Sequence, residues 1–223
     1  GQYNKDEILG TWKRYHENGQ LKSIETYVNG LMEGEYIEYH DNGKKYQQGV
    51  FKKGKTDGDL SYFDDDGILF SILTYDKETL KSARYFDKSG KQISASNVVN
   101  KKMNLVTYRP DGTKRSQLNY NEKGEAEGVE TIYYPTGKVS ETNNYVDGLL
   151  QGTSVTYHLN GKKSLEVEYI EQKKHGYYKT FHSNGKVSYE GWFQEGESQG
   201  NWITTDELGT VLMQTATLNS ESQ

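Results

Sequence analysis

The chain has 223 residues, among them 24 glycines, 19 tyrosines and two prolines but no cysteine, and its net charge is −5 at pH 7. It contains no run of about 18 consecutive apolar residues, which excludes a transmembrane helix, and the lack of cysteine excludes disulfides, thiolate catalysis and cysteine-based zinc sites. The acidic balance argues against binding to nucleic acid or anionic membranes. Aliphatic residues are scarce, while aromatic residues make up 13% of the chain. We therefore expect a thin or repetitive fold, and neither one thick core nor a disordered chain.

A repeat of 22 to 25 residues runs along the chain, with copies that start at residues 10, 34, 58, 81, 103, 128, 152, 176 and 200. Each copy follows the block Gly-x-x-x-x-aromatic-x-x-x-Gly, although two central copies begin with Lys81 and Met103 and the ninth lacks the aromatic residue. The first aromatic position, five residues after the start, holds Tyr15, Tyr39, Phe63, Phe86, Tyr108, Tyr133, Tyr157 and Phe181. The second aromatic position, 17 residues after the start, holds Tyr27, Phe51, Tyr75, Tyr120, Tyr145, Tyr169 and Phe193. Since a short repeat cannot bury its apolar face alone, we expect these rings to pack neighbouring repeats together.

Turn signals divide each repeat into two strands. The second glycine follows Asn or Asp in most copies, as in Asn18-Gly19, which predicts a two-residue hairpin turn of type I′. A second turn follows at positions such as Asn29-Gly30 and Asp147-Gly148, and the segments between turns are rich in Tyr, Thr, Val and Ile, which favour strands. The first glycine of a repeat, such as Gly34, falls within the longer strand, where we interpret it as a kink or bulge.

The predicted fold is all-β: an elongated, single-layer antiparallel meander of about eight to nine stacked β-hairpins, forming a twisted or curled open sheet. Residues 1–9 are assigned to an N-terminal lead-in, residues 10–217 to a single repeat domain, and residues 218–223 to a C-terminal tail. No segment shows a helical period over a dozen residues.

These repeats resemble the MORN repeat, specifically the variant found in bacterial proteins labelled the YwqK family of antitoxins. The segments that carry the resemblance are Gly10-Thr11-Trp12-Lys13-Arg14-Tyr15-His16-Glu17-Asn18-Gly19-Gln20-Leu21 and Gly176-Tyr177-Tyr178-Lys179-Thr180-Phe181-His182-Ser183-Asn184-Gly185-Lys186-Val187. The match is weakest from Lys81 to Lys123. The resemblance implies a curled sheet of hairpins, a binding or scaffolding role without catalytic residues and, through the antitoxin label, neutralisation of a partner protein.

Four of the five histidines, His16, His40, His158 and His182, follow the first aromatic position directly. A metal ladder is one interpretation, and a polar residue beside a turn is the other. Equivalent positions in a regular sheet lie roughly 9–10 Å apart, whereas zinc needs ligands at about 2.0–2.1 Å. We therefore predict no metal site and no cofactor.

The acidic run Asp64-Asp65-Asp66-Gly67 coincides with a predicted hairpin turn. A calcium loop would need a distal bidentate carboxylate within about a dozen residues, so turn chemistry is the favoured interpretation. No pair of carboxylates stands out by spacing, and no nucleophile elbow or phosphate-binding loop is present. We accordingly predict no catalytic residues, with an enzyme that uses an unrecognised carboxylate site as the least favoured alternative.

A third position, two residues after the start, holds Trp12, Tyr36, Tyr178 and Trp202 but varies in the middle repeats. This variability suggests a less constrained, exposed face, and we propose these four residues together with Trp192 as candidate partner contacts. The expected partner is another protein, and a carbohydrate bound by exposed aromatic rings is the alternative. The compartment stays open: extracytoplasmic if a signal segment has been removed before Gly1, and cytoplasmic otherwise.

Overall fold

The computed structural model describes residues 1–4 and 7–217, and the side chains of 1–3 and 7–215. Within this part of the chain the secondary structure consists of 22 β-strands without a helix, and no helix there is long and apolar enough to cross a membrane. The strands are β1 (Gln2–Asn4), β2 (Glu7–Tyr15), β3 (Leu21–Val28), β4 (Leu31–Met32), β5 (Gly34–Tyr39), β6 (Lys45–Lys52), β7 (Lys55–Thr56), β8 (Gly58–Phe63), β9 (Leu69–Asp76), β10 (Thr79–Phe86), β11 (Gln92–Asn97), β12 (Met103–Tyr108), β13 (Lys114–Tyr120), β14 (Ala126–Tyr133), β15 (Val139–Val146), β16 (Leu149–Leu150), β17 (Gly152–Tyr157), β18 (Lys163–Ile170), β19 (Lys173–Phe181), β20 (Val187–Gln194), β21 (Glu197–Thr205) and β22 (Val211–Thr217).

The strands form two antiparallel meanders. The first sheet has the order β1-β2-β3-β5-β6-β8-β9-β10-β11, and the second has the order β12-β13-β14-β15-β17-β18-β19-β20-β21-β22, with β4, β7 and β16 as short pieces paired to β3, β6 and β15. The chain separates into two compact units, residues 1–99 with 105–113, and residues 100–104 with the chain from 114 onward. The predicted hairpin meander is therefore confirmed, and it is divided between two sheets. The break lies where the repeat pattern is weakest.

Two of the predicted boundaries need comment. The lead-in of residues 1–9 is not a separate segment, because Gln2–Asn4 form β1 and pair with residues 7–9 of β2. The predicted tail, residues 218–223, lies outside the described residues. Assignment of residues 10–217 to a single domain stays a prediction.

The first turn of each repeat differs from the prediction. In the first repeat Gly19 N–H donates to the His16 carbonyl at 2.9 Å and His16 N–H donates to the Gln20 carbonyl at 2.8 Å. Gly19 has a φ of 83°, whereas Asn18 is not in the positive-φ region. This is a type I turn followed by a left-handed glycine and a bulge, so the predicted type I′ turn is wrong here. The Asn18 side chain explains the difference, since its Oδ1 accepts the Gln20 N–H at 3.0 Å.

Most second turns do have two positive φ angles, as in Asn29 (50°) and Gly30 (74°), but in the fifth repeat only Gly124 (82°) has one. Three further turns reach the same conformation without glycine, at Lys77-Glu78, Asn100-Lys101 and Glu171-Gln172. The first glycine is a bulge, as predicted: Gly34 has a φ of 91°, and the register to β3 shifts between β4 and β5. The shift amounts to two residues, because Tyr27 pairs with Met32 but Ile24 pairs with Ile37, so the alternation of faces along the strand is kept.

Most buried side chains lie on one face of each sheet, here called the inner face; Val155, which pairs with Glu166 on the opposite face, is an exception. Those of the inner face recur at two positions of the repeat, which are two and 15 residues after the start. The first position includes the buried residues Leu60, Ala83, Ser154 and Trp202, and the second includes Glu25, Ser96, Leu118, Asn143 and Val167. Residues at the two positions of one hairpin face each other across the strand pair, as in Ala83 and Ser96.

At several places along this row a small residue lies beside a large one. A β-carbon at Gly49 would lie 2.5 Å from the Leu60 side chain, and one at Gly191 would lie 2.2 Å from Cδ2 of Trp202. Leu73, which holds the second of these positions, pairs with Ala83 on the next strand, and Ala83 is fully buried. In a single-layer sheet these neighbours must share one limited volume, because interiors are close-packed.

Glu25 is a buried carboxylate of the inner face, with 6% exposure. Its oxygens accept hydrogen bonds from Ser23 Oγ and Tyr27 Oη at 2.7 Å and from Arg14 Nε at 3.0 Å. Burial disfavours the charged form of Glu25, but the hydrogen bonds from Tyr27, Ser23 and Arg14 outweigh it and hold the pKa below its usual value. The charge is thus satisfied within one hairpin.

We predict that Gly191→Ala lowers the free energy of unfolding by about 1–3 kcal/mol, because the added methyl group overlaps the Trp202 ring. Urea denaturation measures the effect. In a Trp202→Ala background the same change should cost much less, because the overlap is gone. Equal costs in both backgrounds would contradict the packing account.

We predict that Glu25→Gln weakens folding at pH 7 by about 1–3 kcal/mol, through loss of the charge-assisted bond to Arg14. Because the folded-state pKa of Glu25 lies below its ordinary value of 4.5, its stabilisation is present above about pH 4.5 and is lost as the pH falls through the lowered pKa. The difference in stability between the two proteins should therefore shrink in urea titrations below pH 4. A constant difference from pH 7 to pH 3 would contradict this.

Candidate functional site

On the outer face of each sheet, the residue directly after each repeat start pairs with a residue on the next strand. This pairing recurs from repeat to repeat. In the described strands these pairs include Thr11–Thr26, Glu35–Val50, Asp59–Thr74, Ser82–Asn97, Val129–Asn144, Thr153–Glu168, Tyr177–Trp192 and Asn201–Ala216. Tyr177–Trp192 is the only one of these pairs that consists of two aromatic residues. Since the other pairs contain no aromatic residue, the fold does not require aromatic rings here.

Tyr177 and Trp192 are both solvent-exposed, at 58% and 40%. Their ring centroids lie 4.8 Å apart with an interplanar angle of 83°, an edge-to-face contact. β19 and β20 position the two rings, and the register between Tyr177 and Trp192 is regular. The pair offers a large apolar surface that the protein itself leaves uncovered.

An open groove of about 560 Å³ lies beside the pair. Its walls include the amide side chains of Gln199 and Asn201 and the apolar side chain of Ile203. Gly191 and Gly200 also line the groove and add no side chain to it. We call the Tyr177–Trp192 pair and this groove the aromatic patch.

Charged residues border the aromatic patch. Lys179 Nζ lies 3.2 Å from a carboxylate oxygen of Glu190 and 5.1 Å from the centroid of the Tyr177 ring. Glu166 faces Lys179 from β18. The Glu168 carboxylate lies against Gly176, next to Tyr177, because a β-carbon at Gly176 would be 2.2 Å from Glu168 Oε2.

The other predicted contacts lie elsewhere. Trp12, Tyr36 and Tyr178 are half-buried, and Trp202 is 5% exposed, because the third position belongs to the inner face. The prediction that this position lies on an exposed face is therefore wrong. The variability that suggested exposure instead reflects packing along the row, where a small residue lies beside a large one at several places.

The third-position residues have partners within the fold. The Trp12 indole N–H donates to the Leu9 carbonyl at 3.2 Å, and the Tyr36 hydroxyl donates to Glu38 at 2.7 Å. Burial, followed by the hydrogen bond to Glu38, raises the pKa of Tyr36. These contacts account for both side chains structurally.

Trp202 lies at the centre of an aromatic cluster on the inner face. Its ring stacks on Tyr189 at 5.0 Å and contacts Phe193 at 5.1 Å and Tyr178 at 5.8 Å. Lys174 Nζ lies 5.0 Å from the Phe193 ring and 5.2 Å from the Tyr178 ring. The cluster ties β19, β20 and β21 together.

The second aromatic position also belongs to the inner face, as shown by the contact between Tyr36 and Phe51 with centroids 5.5 Å apart. Burial raises the pKa of four of its tyrosines, Tyr75, Tyr120, Tyr145 and Tyr169. Burial likewise raises the pKa of Tyr62 to about 12. At the first aromatic position Tyr15 is 60% exposed, so it contributes less to packing than its equivalents.

The histidines form a ladder that links successive repeats. Each Nε2–H donates to the backbone carbonyl 23 residues further on, at 2.8 to 3.3 Å: His16 to Tyr39, His40 to Phe63, His158 to Phe181 and His182 to Thr205. A parallel ladder joins the Nδ2 of Asn18, Asn42, Asn160 and Asn184 to carbonyls of the next turn. No group of three or more potential metal ligands is found among the described residues.

The acidic turn uses its carboxylates for turn formation and ion pairs. Asp64 Oδ1 accepts the N–H groups of Asp66 and Ile68 at 3.0 and 2.8 Å. A hydrogen bond from Lys44 and the charges of Lys44 and Lys88 lower the pKa of Asp66. Asp65 is 93% exposed, so the three carboxylates do not converge on one point.

Comparison with known families identifies the repeat. The MORN repeat variant matches residues 8–29, 32–53, 126–147 and 174–194, two segments in each unit, so these segments are MORN-variant repeats. No curated protein matches the chain, and the more specific resemblance to the antitoxin family stays a prediction.

Among solved structures, the chain is similar to part of a crystal structure of TcdB2-TccC3-Cdc42, with 10% identity over 90% of this chain and 14% of that one, at a TM-score of 0.24. It is also similar to part of the Photorhabdus luminescens Tc holotoxin pore, with 10% identity over 94% of this chain and 15% of that one, at a TM-score of 0.19. The chain thus spans less than a sixth of either structure, and likeness at this level says nothing about its function.

We predict that His158→Ala lowers the free energy of unfolding by about 0.5–1.5 kcal/mol, because the bond to the Phe181 carbonyl is lost. His175→Ala, outside the ladder, is the matched control and should change stability by less than about 0.5 kcal/mol. Thermal and urea unfolding measure both. Equal effects of the two substitutions would argue against the ladder.

Proposed function

We propose that this MORN-variant repeat protein is a non-catalytic binding or scaffold module, and that its partner is another protein that docks on the aromatic patch. The observation that carries the proposal is the exposed Tyr177–Trp192 pair at a register position where none of the other pairs named above contains an aromatic residue. Those seven pairs show that aromatic rings are dispensable for folding at this position. The rings of Tyr177 and Trp192 are therefore best explained by a contact outside the chain.

The chemistry of the pair suits a protein interface. Tyr and Trp are enriched among residues that dominate binding energy, and each buries about 150–250 Å² when covered. The groove beside them is open and shallow in form, with polar amides at one wall, as in the polar rim around an interface centre. An extended segment or a loop of a partner could lie along it.

The perturbed titrating groups support a non-catalytic role. Burial raises the pKa of Tyr62 to about 12, and hydrogen bonds within turns lower the pKa of Asp87 and Asp111. These shifts follow from folding and do not by themselves mark catalytic groups. An antitoxin would be one form of the proposed function, with a toxin as the docked protein.

A carbohydrate is the second candidate ligand. It is favoured by the position of Gln199 and Asn201 beside an exposed Trp192, since sugar rings combine an apolar face with hydroxyl groups. A glycan array probed with the wild-type chain tests it. Binding that disappears when both rings are replaced would establish this alternative and displace the protein partner.

We predict that replacing the pair, Tyr177→Thr with Trp192→Thr, abolishes partner binding while the fold is kept. The double variant reproduces the Thr11–Thr26 pair of the first repeat, whose hydroxyls are 3.3 Å apart, and its thermal stability should change little. Affinity capture from an extract of the source organism, followed by calorimetry with the purified partner, should show at least about a 30-fold loss of affinity, equivalent to a hot-spot loss of 2 kcal/mol.

Tyr15→Thr is the matched control, because Tyr15 is equally exposed, at 60%, but lies outside the patch. It should bind like the wild type. A partner that binds the wild type and the double variant equally well would overturn the assignment of the patch.

A further inference from the structure

The charges around the aromatic patch are arranged in register. Glu166 on β18 faces Lys179 on β19, and Lys179 in turn faces Glu190 on β20. Glu168 lies nearby against Gly176. The border of the patch thus carries three carboxylates and the ammonium group of Lys179, and Lys163 Nζ lies 2.5 Å from Glu166 Oε1.

Lys179 shows what kind of group this surface accommodates. Its ammonium group pairs with Glu190 at 3.2 Å and lies 5.1 Å from the Tyr177 ring centroid. Carboxylate and ring are the two elements that attract a cation over an aromatic face. Lys179 is one third exposed in its side chain, and its flexible stem allows another cation to displace it.

We propose that the aromatic patch binds an arginine side chain carried by an extended segment of the partner protein. The guanidinium would stack on the exposed Trp192 ring and pair with Glu168 or Glu190. This inference rests on the proposed function and specifies the chemistry of the partner. An acidic segment is disfavoured, because Lys179 already faces Glu166 and Glu190, and Lys163 pairs with Glu166, so each ammonium group already has a carboxylate beside it.

Arginine suits the site better than lysine. Its guanidinium is planar, stacks on aromatic rings and donates paired hydrogen bonds to a carboxylate, and it is more weakly hydrated than an ammonium group. A partner lysine would resemble Lys179 and gain little by replacing it.

Selection from a random peptide display library, with the full chain as bait and prior depletion on the Tyr177→Thr/Trp192→Thr variant, tests the inference. We expect the recovered peptides to be enriched in arginine. The affinity of a recovered peptide should fall as the salt concentration rises, since its ion pairs are solvent-accessible.

Two substitutions in the border should act in opposite directions. Glu190→Gln removes a partner of the guanidinium and should weaken binding about tenfold. Lys179→Val removes the competing cation and should tighten binding several-fold, and valine already occupies the equivalent position in the preceding repeat, at Val155. Glu35→Gln, an exposed outer-face carboxylate in the other unit, is the control and should leave binding unchanged.

The outcomes separate the two proposals. Patch-dependent peptides without arginine, or a Lys179→Val variant that binds more weakly, would overturn the arginine inference and leave protein binding at the patch intact. Recovery of no patch-dependent peptide, with glycan binding at the same rings, would overturn both.

Discussion

Within each sheet, hairpins bury their apolar residues against the strands on either side, and the rest of the structure depends on that constraint. The strands of each sheet follow one another as a meander, so a side chain on the inner face packs against residues of the adjacent strands. Volume must therefore be shared between neighbouring strands. The pairs Gly191 with Trp202, Gly49 with Leu60 and Leu73 with Ala83 are different solutions to this one requirement. Their variety explains why the row looked unconstrained in the sequence.

Backbone N–H and C=O groups at the turns also need hydrogen-bond partners, and two kinds of side chain supply them. Where a repeat has histidine and asparagine at the turn, both side chains reach the carbonyls of the next turn, as in His158 and Asn160. Where aspartate begins the turn, its carboxylate accepts N–H groups of its own turn, as Asp206 does from Leu208 and Thr210. The first solution links repeats, and the second stabilises one hairpin. Stacking through side-chain bonds is thus added only in some repeats, because the strand ladders already join the repeats within each sheet.

The hairpins and their order could be predicted from the sequence because glycine and asparagine recur at short, regular intervals. The faces could not, because the bulge at the first glycine shifts the register by an amount that composition does not reveal. The same uncertainty placed Trp202 on the wrong face. The histidine ladder was missed because its acceptors are backbone carbonyls 23 residues away, which leave no trace in residue types. The recurring pattern does not mark Tyr177, because Tyr177 stands out only by differing from the residues at the same position in the other repeats.

In a repeat protein, each residue can be compared with the residues at the same position in the other repeats. This comparison separates differences, here called departures, that serve packing from those that serve function. Trp202 is larger than the residues at its position in the middle repeats, but Gly191 compensates for it and the ring is buried. Tyr177 and Trp192 depart together on the outer face, where no neighbouring residue makes room for them and both rings stay in solvent. A compensated departure keeps the packing constant and needs no external explanation. An uncompensated, exposed departure leaves apolar surface that only another molecule can cover, and for that reason the binding role is assigned to this pair and not to the larger aromatic cluster on the opposite face.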